Sequence, residues 1–291
     1  MNGWPMLMTG LNAFGLGLRV EGFTPRRSDH GTLAGSTVRA LLREFGVLHF
    51  VDFPLDNDVY GDFARWFGQP EPVFPAEHRV PGYSQMRLQT NIRGLGANAG
   101  GQYWHADGSF LKIPTSVTLL LCEEAPADEG ETLFADMRRA YELLPDPVRE
   151  SVTQLQGNYP CRQIADRDMQ RAVAMKTTSL SEEERRRKLD QMSDVIRPLI
   201  TEDTVTHRRA LHLNQHWLRS IQGKSETESA ETLDLLYNTA TAASNVYRHR
   251  WTVGDLLVWD NDLVMHKAIP ARASQRKVTR RITIAGGESS R

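Results

Sequence analysis

The sequence predicts a mainly β, α+β protein, with helices decorating the core, and three patterns predict it. Short apolar or β-branched segments, punctuated by glycine-rich turns, fill residues 85–136 and return after residue 256. Amphipathic helical stretches flank them, and one charged helical insertion, at about 165–200, interrupts them without setting up a βαβ alternation. No GxGxxG or Walker-type loop supports a nucleotide-binding sheet. The chain, 1–291, reads as a single domain.

The elements follow in order. Val38, Leu41, Leu42 and Phe45 fall at i, i+3, i+4 and i+7, which predicts a helix over 36–45 ended by Gly46 in the left-handed conformation. The run Val47-Leu48-His49-Phe50-Val51 predicts a buried strand, and Val59, Phe63, Trp66 and Phe67 predict a second helix over 58–67. Strands are expected at 116–122 and 131–135, with a helix at 138–144 stopped by Pro145. Ser181 with Glu184 forms a capping box that opens a helix over 180–197, whose Glu182–Arg187 charge run reads as a solvated face. A helix at 230–243 and strands at 256–259, 263–266 and 280–285 complete the expectation.

Composition excludes several classes. Thirty-five Lys and Arg against 36 Asp and Glu leave a net charge of −1, which argues against binding nucleic acid or an anionic membrane through bulk charge. Two cysteines, Cys122 and Cys161, cannot build a disulfide framework. No segment approaches the ~18 consecutive apolar residues of a membrane span, and the first 17 residues lack the basic start of a secretory signal. A cytoplasmic protein acting on a small molecule, as a possible homo-oligomer, is the expectation.

The chemistry concentrates in Gln102-Tyr103-Trp104-His105-Ala106-Asp107-Gly108-Ser109-Phe110. On an extended strand His105 and Asp107 point to one face. His266 supplies a second imidazole at the end of a distant apolar strand. Two histidines and one carboxylate that leave other coordination positions open match the facial triad of non-haem Fe(II) oxygenases. HxD alone is a weak signal, and Trp104 beside it reads as core.

Further segments occur in a telling order. After WHADGSF come Pro114, Glu129–Asp136 (EGETLFAD), Ala140–Pro145 (AYELLP), Trp259-Asp260-Asn261, His266 and Arg281–Gly286 (RITIAG). With Phe45-Gly46-Val47 and Asp62–Gly68 upstream, this series resembles the taurine dioxygenase family, which includes the chlorophenoxyacetate dioxygenases, over residues 35–286. The resemblance implies a double-stranded β-helix (jelly-roll) core, with Fe(II), 2-oxoglutarate and O2 as cofactor and cosubstrates. It implies that His105, Asp107 and His266 ligate the iron and that the Thr132 hydroxyl meets the distal carboxylate of 2-oxoglutarate. It also implies that the cosubstrate is converted to succinate and CO2 as the substrate is oxidised.

One position departs from the family pattern. The family's 2-oxoglutarate arginine lies eleven residues after the distal histidine, where this chain has Lys277, and its substrate arginine lies four further, at Arg281. Either Lys277 acts as a point charge or Arg281 reaches the cosubstrate, and the planar fork of Arg281 is the preferred reading. In that case the family's acidic-substrate expectation weakens. Arg276 and Arg280 face the other way and read as solvent-facing edge charges.

Asp107 fills the position that related halogenases leave open for chloride. The outcome expected is therefore hydroxylation, desaturation or carbon–heteroatom cleavage of a small polar substrate, carboxylate- or amino-acid-like. Gln89, Asn91, Asn98 and Asn214 are the candidate substrate contacts, each with a bland reading as a turn or strand-end polar group. Two other classes share the fold: a non-oxidative divalent-metal hydrolase or isomerase, and a catalytically silent binding protein. The first would need neither Thr132 nor the late cation, and the second would be free to lose the triad.

Overall fold

A computed structural model describes residues 7–26, 33–92, 94–98, 100–175, 178 and 180–287, the side chain of residue 98 excepted. In chain order the elements begin with strands β1 (Leu7–Gly10) and β2 (Leu18–Glu21), helix α1 (Leu33–Phe45), β3 (Val47–Phe50) and α2 (Asn57–Ala64). Next come β4 (Arg79–Val80), β5 (Tyr83–Thr90), β6 (Ala97–Asn98), β7 (Thr115–Glu124), β8 (Thr132–Asp136), α3 (Met137–Glu142) and α4 (Asp146–Val152). The insertion contains β9 (Gln156–Tyr159), α5 (Cys161–Ala174), α6 (Glu182–Asp190) and β10 (Val195–Pro198). After it follow β11 (Ile200–Glu202), β12 (Arg209–Leu211), β13 (Ser220–Ile221), α7 (Glu226–Ala240), β14 (Val246–His249), β15 (Leu256–Asp260), β16 (Val264–Ala268) and β17 (Val278–Ala285).

Two sheets form the core. The larger runs β1-β2-β3-β15-β7-β17-β5-β4, with β6 paired to β5, and the smaller runs β14-β8-β16. Strand alternation explains the unbroken apolar runs. Leu119 and Leu121 of β7 and Leu256 and Val258 of β15 join a cluster with Val38 and Leu42 of α1 and Phe63 of α2. Their neighbours Leu120, Cys122, Leu257 and Trp259 instead join Phe134 of β8 and Val264 of β16 between the sheets. Both faces of these strands are covered, so both positions of the two-residue period must be apolar. The outer face of the small sheet is covered in turn, Ala135 and Met265 packing with Ala140 of α3 and Leu233 and Leu236 of α7.

The forecast elements appear, with three differences. Gly46 adopts φ 71° as expected of a left-handed stop. The Ser181–Glu184 capping box is present, but the helix it opens ends at Asp190 and residues 195–198 form a strand. Leu189, Met192 and Val195 mimic a helical stripe, yet β10 pairs with β9, and Arg197 turns inward to donate from Nε to the Ser109 carbonyl at 2.6 Å. The helix forecast at 230–243 starts at Glu226 behind a second capping box, Ser225 with Glu228. Finally, α5 was not foreseen, because among its 14 residues only Cys161 and Ile164 are buried, too few to mark a period. The Glu182–Arg187 run is solvated, with Arg187 paired to Glu183 at 3.1 Å.

Leu121 has no exposed surface and sits where the large sheet meets its helical cover. Leu121→Ala should therefore cost about 2–5 kcal/mol by transfer and cavity effects, read as a lowered denaturation midpoint with an unchanged slope.

Candidate metal centre

His105 and His266 are neighbours because their backbones form an isolated antiparallel bridge: His105 N donates to His266 O at 3.0 Å, and His266 N to His105 O at 2.8 Å. The bridge sets the imidazoles side by side, 4.1 Å between centroids. The HxD spacing predicts an extended strand, but the segment is not a regular one. Only His105 is bridged, and Asp107 lies in the turn that follows. Gly108 makes that turn with φ +63°, and an added Cβ would stand 2.3 Å from Thr115 Oγ1 and 2.6 Å from Thr115 N.

A buried network fixes Asp107. Its amide donates to Asn261 Oδ1 at 3.0 Å, and its Oδ2 accepts from Thr118 Oγ1 at 2.8 Å. Asn261 Nδ2 donates to Thr118 Oγ1 at 3.0 Å, and Trp259 Nε1 donates to Asn261 Oδ1 at 3.1 Å. Asp107 Oδ1 meets Arg281 Nη2 at 2.7 Å. Burial alone would push the Asp107 carboxyl up, but Arg281, His266, His105 and the Thr118 hydroxyl together hold it well below the carboxylate range. Burial drives both imidazoles toward the neutral form, His266 down to about 3.

This donor set fits a divalent ion. His105 Nδ1 donates to Tyr103 O at 2.8 Å, which leaves the Nε2 lone pair facing the centre. Nε2 of His105 and of His266 each lie 3.7 Å from an Asp107 oxygen, too far for a hydrogen bond. The His105 lone pair turned toward a carboxylate is repelled unless a cation stands between them, and His266 Nδ1, buried without a partner among the described residues, leaves its Nε2 free to act as the second donor. The ligand atoms lie within 4.8 Å of one another, as a shared ion requires.

The three candidate ligands open onto a cavity of about 300 Å³ that Thr132, Lys277, Arg281, Arg87, Gln89, Asn91 and Asn214 also line. Thr132 Oγ1 accepts from Trp251 Nε1 at 3.1 Å, and Lys277 Nζ sits 5.2 Å from the centroid of the Trp251 ring while donating to Gly130 O at 2.6 Å. Lys277 and Thr132 are thus set around one indole, whereas Arg281 lies at the ligand carboxylate. Burial lowers the Lys277 ammonium to about 8.

The candidate substrate contacts part company. Asn91 clamps the Lys277 loop: its Oδ1 accepts from Lys277 N at 2.9 Å and its Nδ2 donates to Gln275 O at 2.7 Å. Asn214 is consumed internally, donating to Ser109 Oγ at 2.8 Å and accepting from His216 N and Trp217 N. Gln89 remains on the cavity wall. Asn98 belongs to β6, and its side chain lies outside the described residues. Arg276 is exposed and paired with Glu124 as an edge charge, but Arg280 is not. It is 3% exposed and paired with Glu123 at 2.7 Å, because its face of β17 lies under α2 instead of facing solvent. Thr118 and Arg87 escaped the sequence reading, and Asn261 was noticed only as part of a motif.

Comparison with known proteins gives a consistent result. The family described as "Taurine catabolism dioxygenase TauD, TfdA family" matches residues 13–283. The chain is 30% identical, over 273 residues and 88% of each chain, to the alpha-ketoglutarate-dependent 2,4-dichlorophenoxyacetate dioxygenase of Burkholderia sp. (strain RASC). It is 28% identical to the alpha-ketoglutarate-dependent sulfate ester dioxygenase of Pseudomonas putida, over 80% of this chain and 74% of that one. Of the solved structures, AAD-2 in complex with Mn(II) and N-oxalylglycine has a TM-score of 0.75 at 26% identity, covering 98% of this chain and 99% of that one. A taurine dioxygenase from Burkholderia xenovorans, 22% identical with a TM-score of 0.76 over 98% of this chain and 92% of that one, shares the fold.

Thr118→Val keeps the shape but removes the hydroxyl that steadies Asp107, and should weaken metal affinity about 10- to 100-fold in a Mn(II) titration. Gly108→Ala should add about 1–3 kcal/mol of backbone strain besides the clash with Thr115, lowering the melting temperature and metal affinity together.

Proposed function

The chain belongs to the taurine catabolism dioxygenase TauD, TfdA family, and from that membership we propose that it oxidises a small polar substrate, carboxylate- or amino-acid-like, at the centre described above. It is a 2-oxoglutarate-dependent dioxygenase with a jelly-roll core, using Fe(II), 2-oxoglutarate and O2. The observation that carries the reading is the convergence of His105, Asp107 and His266 on one wall of a cavity also lined by a hydroxyl and buried cations. The named relatives support a polar substrate: one is a 2,4-dichlorophenoxyacetate dioxygenase and the other a sulfate ester dioxygenase.

In this reading His105, Asp107 and His266 would hold the iron, whose chemistry with 2-oxoglutarate and O2 would oxidise the substrate as the cosubstrate is converted to succinate and CO2. The chain's own residues do the placing. Thr132 donates to the distal carboxylate of 2-oxoglutarate, and Lys277 neutralises it. This reverses the sequence-based preference for Arg281, because Lys277 shares the Trp251 indole with Thr132 whereas Arg281 is engaged by Asp107. A buried carboxylate needs such donors to offset its lost hydration. Arg281 keeps Asp107 ionised and is left facing the substrate side. Asp107 occupies a ligand position that chloride would need, so the reaction is hydroxylation, desaturation or carbon–heteroatom cleavage.

Anaerobic addition of Fe(II) and 2-oxoglutarate should produce the weak visible charge-transfer band of the chelate, and His105→Ala should abolish it. Lys277→Ala should weaken 2-oxoglutarate affinity by about tenfold or more, while loss only in Arg281→Ala would restore the other assignment. The pH dependence has a definite sign. Lys277 is cationic below its lowered value of about 8 and neutral above it, so affinity for 2-oxoglutarate should fall as pH rises past 8. Lys277→Arg should flatten that decline.

A further inference from the structure

We propose that His49, Asp255 and His249 form a proton-held cluster that positions the cosubstrate end of the cavity, acting through Trp251 on Thr132 and Lys277. His49, Asp255, His249 and Trp251 are buried and take no part in the cavity lining, which includes Thr132 and Lys277, so they are positioning residues. The inference rests on the roles given to Thr132 and Lys277 above and deepens them.

Pairing brings the cluster together. His249 of β14 is directly opposite Thr132 of β8, and His49 of β3 is directly opposite Leu257 of β15, whose side chain packs between the sheets. Asp255 lies just before β15 and meets both imidazoles. Its Oδ1 accepts from His49 Nε2 at 2.7 Å, and its Oδ2 faces His249 Nε2 at 3.4 Å and accepts from the Thr252 amide at 2.7 Å. Burial pushes the Asp255 carboxyl up, but the two imidazoles and that amide hold it well below the usual carboxylate range, so it can only accept. Burial lowers His249, and His49 and Lys277 add to that, which leaves it neutral with one proton. The Tyr247 hydroxyl lies 3.1 Å from His249 Nδ1 and donates there, so the proton sits on Nε2, toward Asp255. These are the residue types of the metal centre, and their ligand atoms also lie within 4.8 Å of one another. Distance separates the two sites: at the metal centre both imidazoles stand 3.7 Å from the carboxylate, whereas here His49 closes a hydrogen bond and a proton takes the place of an ion.

The effect reaches the cosubstrate through one indole. The His249 ring stands at 85° to the Trp251 ring, 4.6 Å between centroids, and so sets the plane of the indole. Trp251 Nε1, a donor only, gives its proton to Thr132 Oγ1 at 3.1 Å. The Thr132 hydroxyl cannot return its own proton to that nitrogen, so it aims it elsewhere, and its residue lines the cavity where the distal carboxylate would lie. The same indole carries Lys277, whose Nζ is 5.2 Å from the ring centroid. An ammonium has no planar fork to fix its direction, so its place depends on that ring and on the Gly130 carbonyl at 2.6 Å. A tilt of Trp251 would therefore shift both groups that meet the distal carboxylate. The candidate metal ligands would stay in place, because His105, Asp107 and His266 are held by Tyr103 O, by Thr118 and by the backbone bridge.

The test is calorimetry on the Mn(II)-loaded protein with two oxo acids, 2-oxoglutarate and 2-oxovalerate, which has the same chain length but no distal carboxylate. Wild type should bind 2-oxoglutarate the more tightly. Trp251→Phe keeps a ring and loses the N–H, and should weaken 2-oxoglutarate about three- to tenfold while leaving the affinities for 2-oxovalerate and Mn(II) unchanged. His249→Leu should do the same, and His249→Gln, which can still donate to Asp255, should recover part of the loss. Equal loss for both oxo acids, or unchanged 2-oxoglutarate affinity in Trp251→Phe and His249→Leu, would overturn the positioning role and leave Thr132 and Lys277 in theirs. A second Mn(II) per chain that His249→Leu removes would overturn the proton-held cluster. A wild-type protein that binds the two oxo acids equally would strike the roles of Thr132 and Lys277 as well.

Discussion

A single buried carboxylate organises the centre of this protein. Asp107 is kept ionised between two sheets, where an uncompensated charge would be strongly destabilising. Each nearby feature answers that demand. Thr118 and Arg281 take its oxygens, Asn261 holds its amide, and the two imidazoles turn their Nε2 atoms toward it beyond hydrogen-bond distance, which leaves room for a cation. Because those groups come from β7, β17, the β15–β16 turn and β16, the site can exist only when strands far apart in sequence are paired in the correct register. Fold and site are therefore one constraint: a slip of one residue in β17 would turn Arg281 away from Asp107 and bring Arg280 or Ile282 inward.

The parts legible from sequence are those in which a residue's environment is dictated locally. The helix over Leu33–Phe45, its glycine stop and the apolar strands around Leu119–Leu121 and Leu256–Val258 announce themselves through period and residue type. The grouping of His105, Asp107 and His266 was legible because HxD and a late histidine sit within an ordered series of motifs. What stayed hidden depends on pairing. Thr118 lies in a run read simply as strand, and nothing in Ser116-Val117-Thr118 tells which face holds the metal. Arg280 and Arg281 are adjacent and chemically identical. Alternation sends them to opposite faces, but it does not say that the Arg280 face is closed by Glu123 beneath α2 instead of facing solvent, or that Arg281 meets Asp107.

The choice between Lys277 and Arg281 shows the same limit from another side. Spacing put both on one face of a strand, and chemistry then favoured the planar fork. In the fold β17 starts at Val278, with a register irregularity at Val278–Thr279, so Lys277 belongs to the preceding loop and not to the strand. Asn91 pins that loop through the Lys277 amide, and the Gly130 carbonyl and the Trp251 ring receive the ammonium. Alternation put both side chains on the cavity, where both are found, but with one of the two residues outside the strand it could not say which end of the cavity each reaches.

Separating the cations along the cavity has a chemical consequence. A cosubstrate with two carboxylates and an anionic substrate would compete for any single arginine near the metal. In the reading proposed above, the compact ammonium beside Trp251 and Thr132 would serve the distal carboxylate of the cosubstrate, while the Arg281 guanidinium stays with Asp107. Lysine is suited to the first role because Gly130 and Trp251 already fix its position, so geometric matching by a fork adds little there. Arginine is suited to the Asp107 end because its planar fork pairs with the carboxylate and keeps further N–H groups in a fixed plane. The departure from the family's spacing rule is thus compatible with keeping a cation at each end of the cavity, each of the kind its surroundings call for.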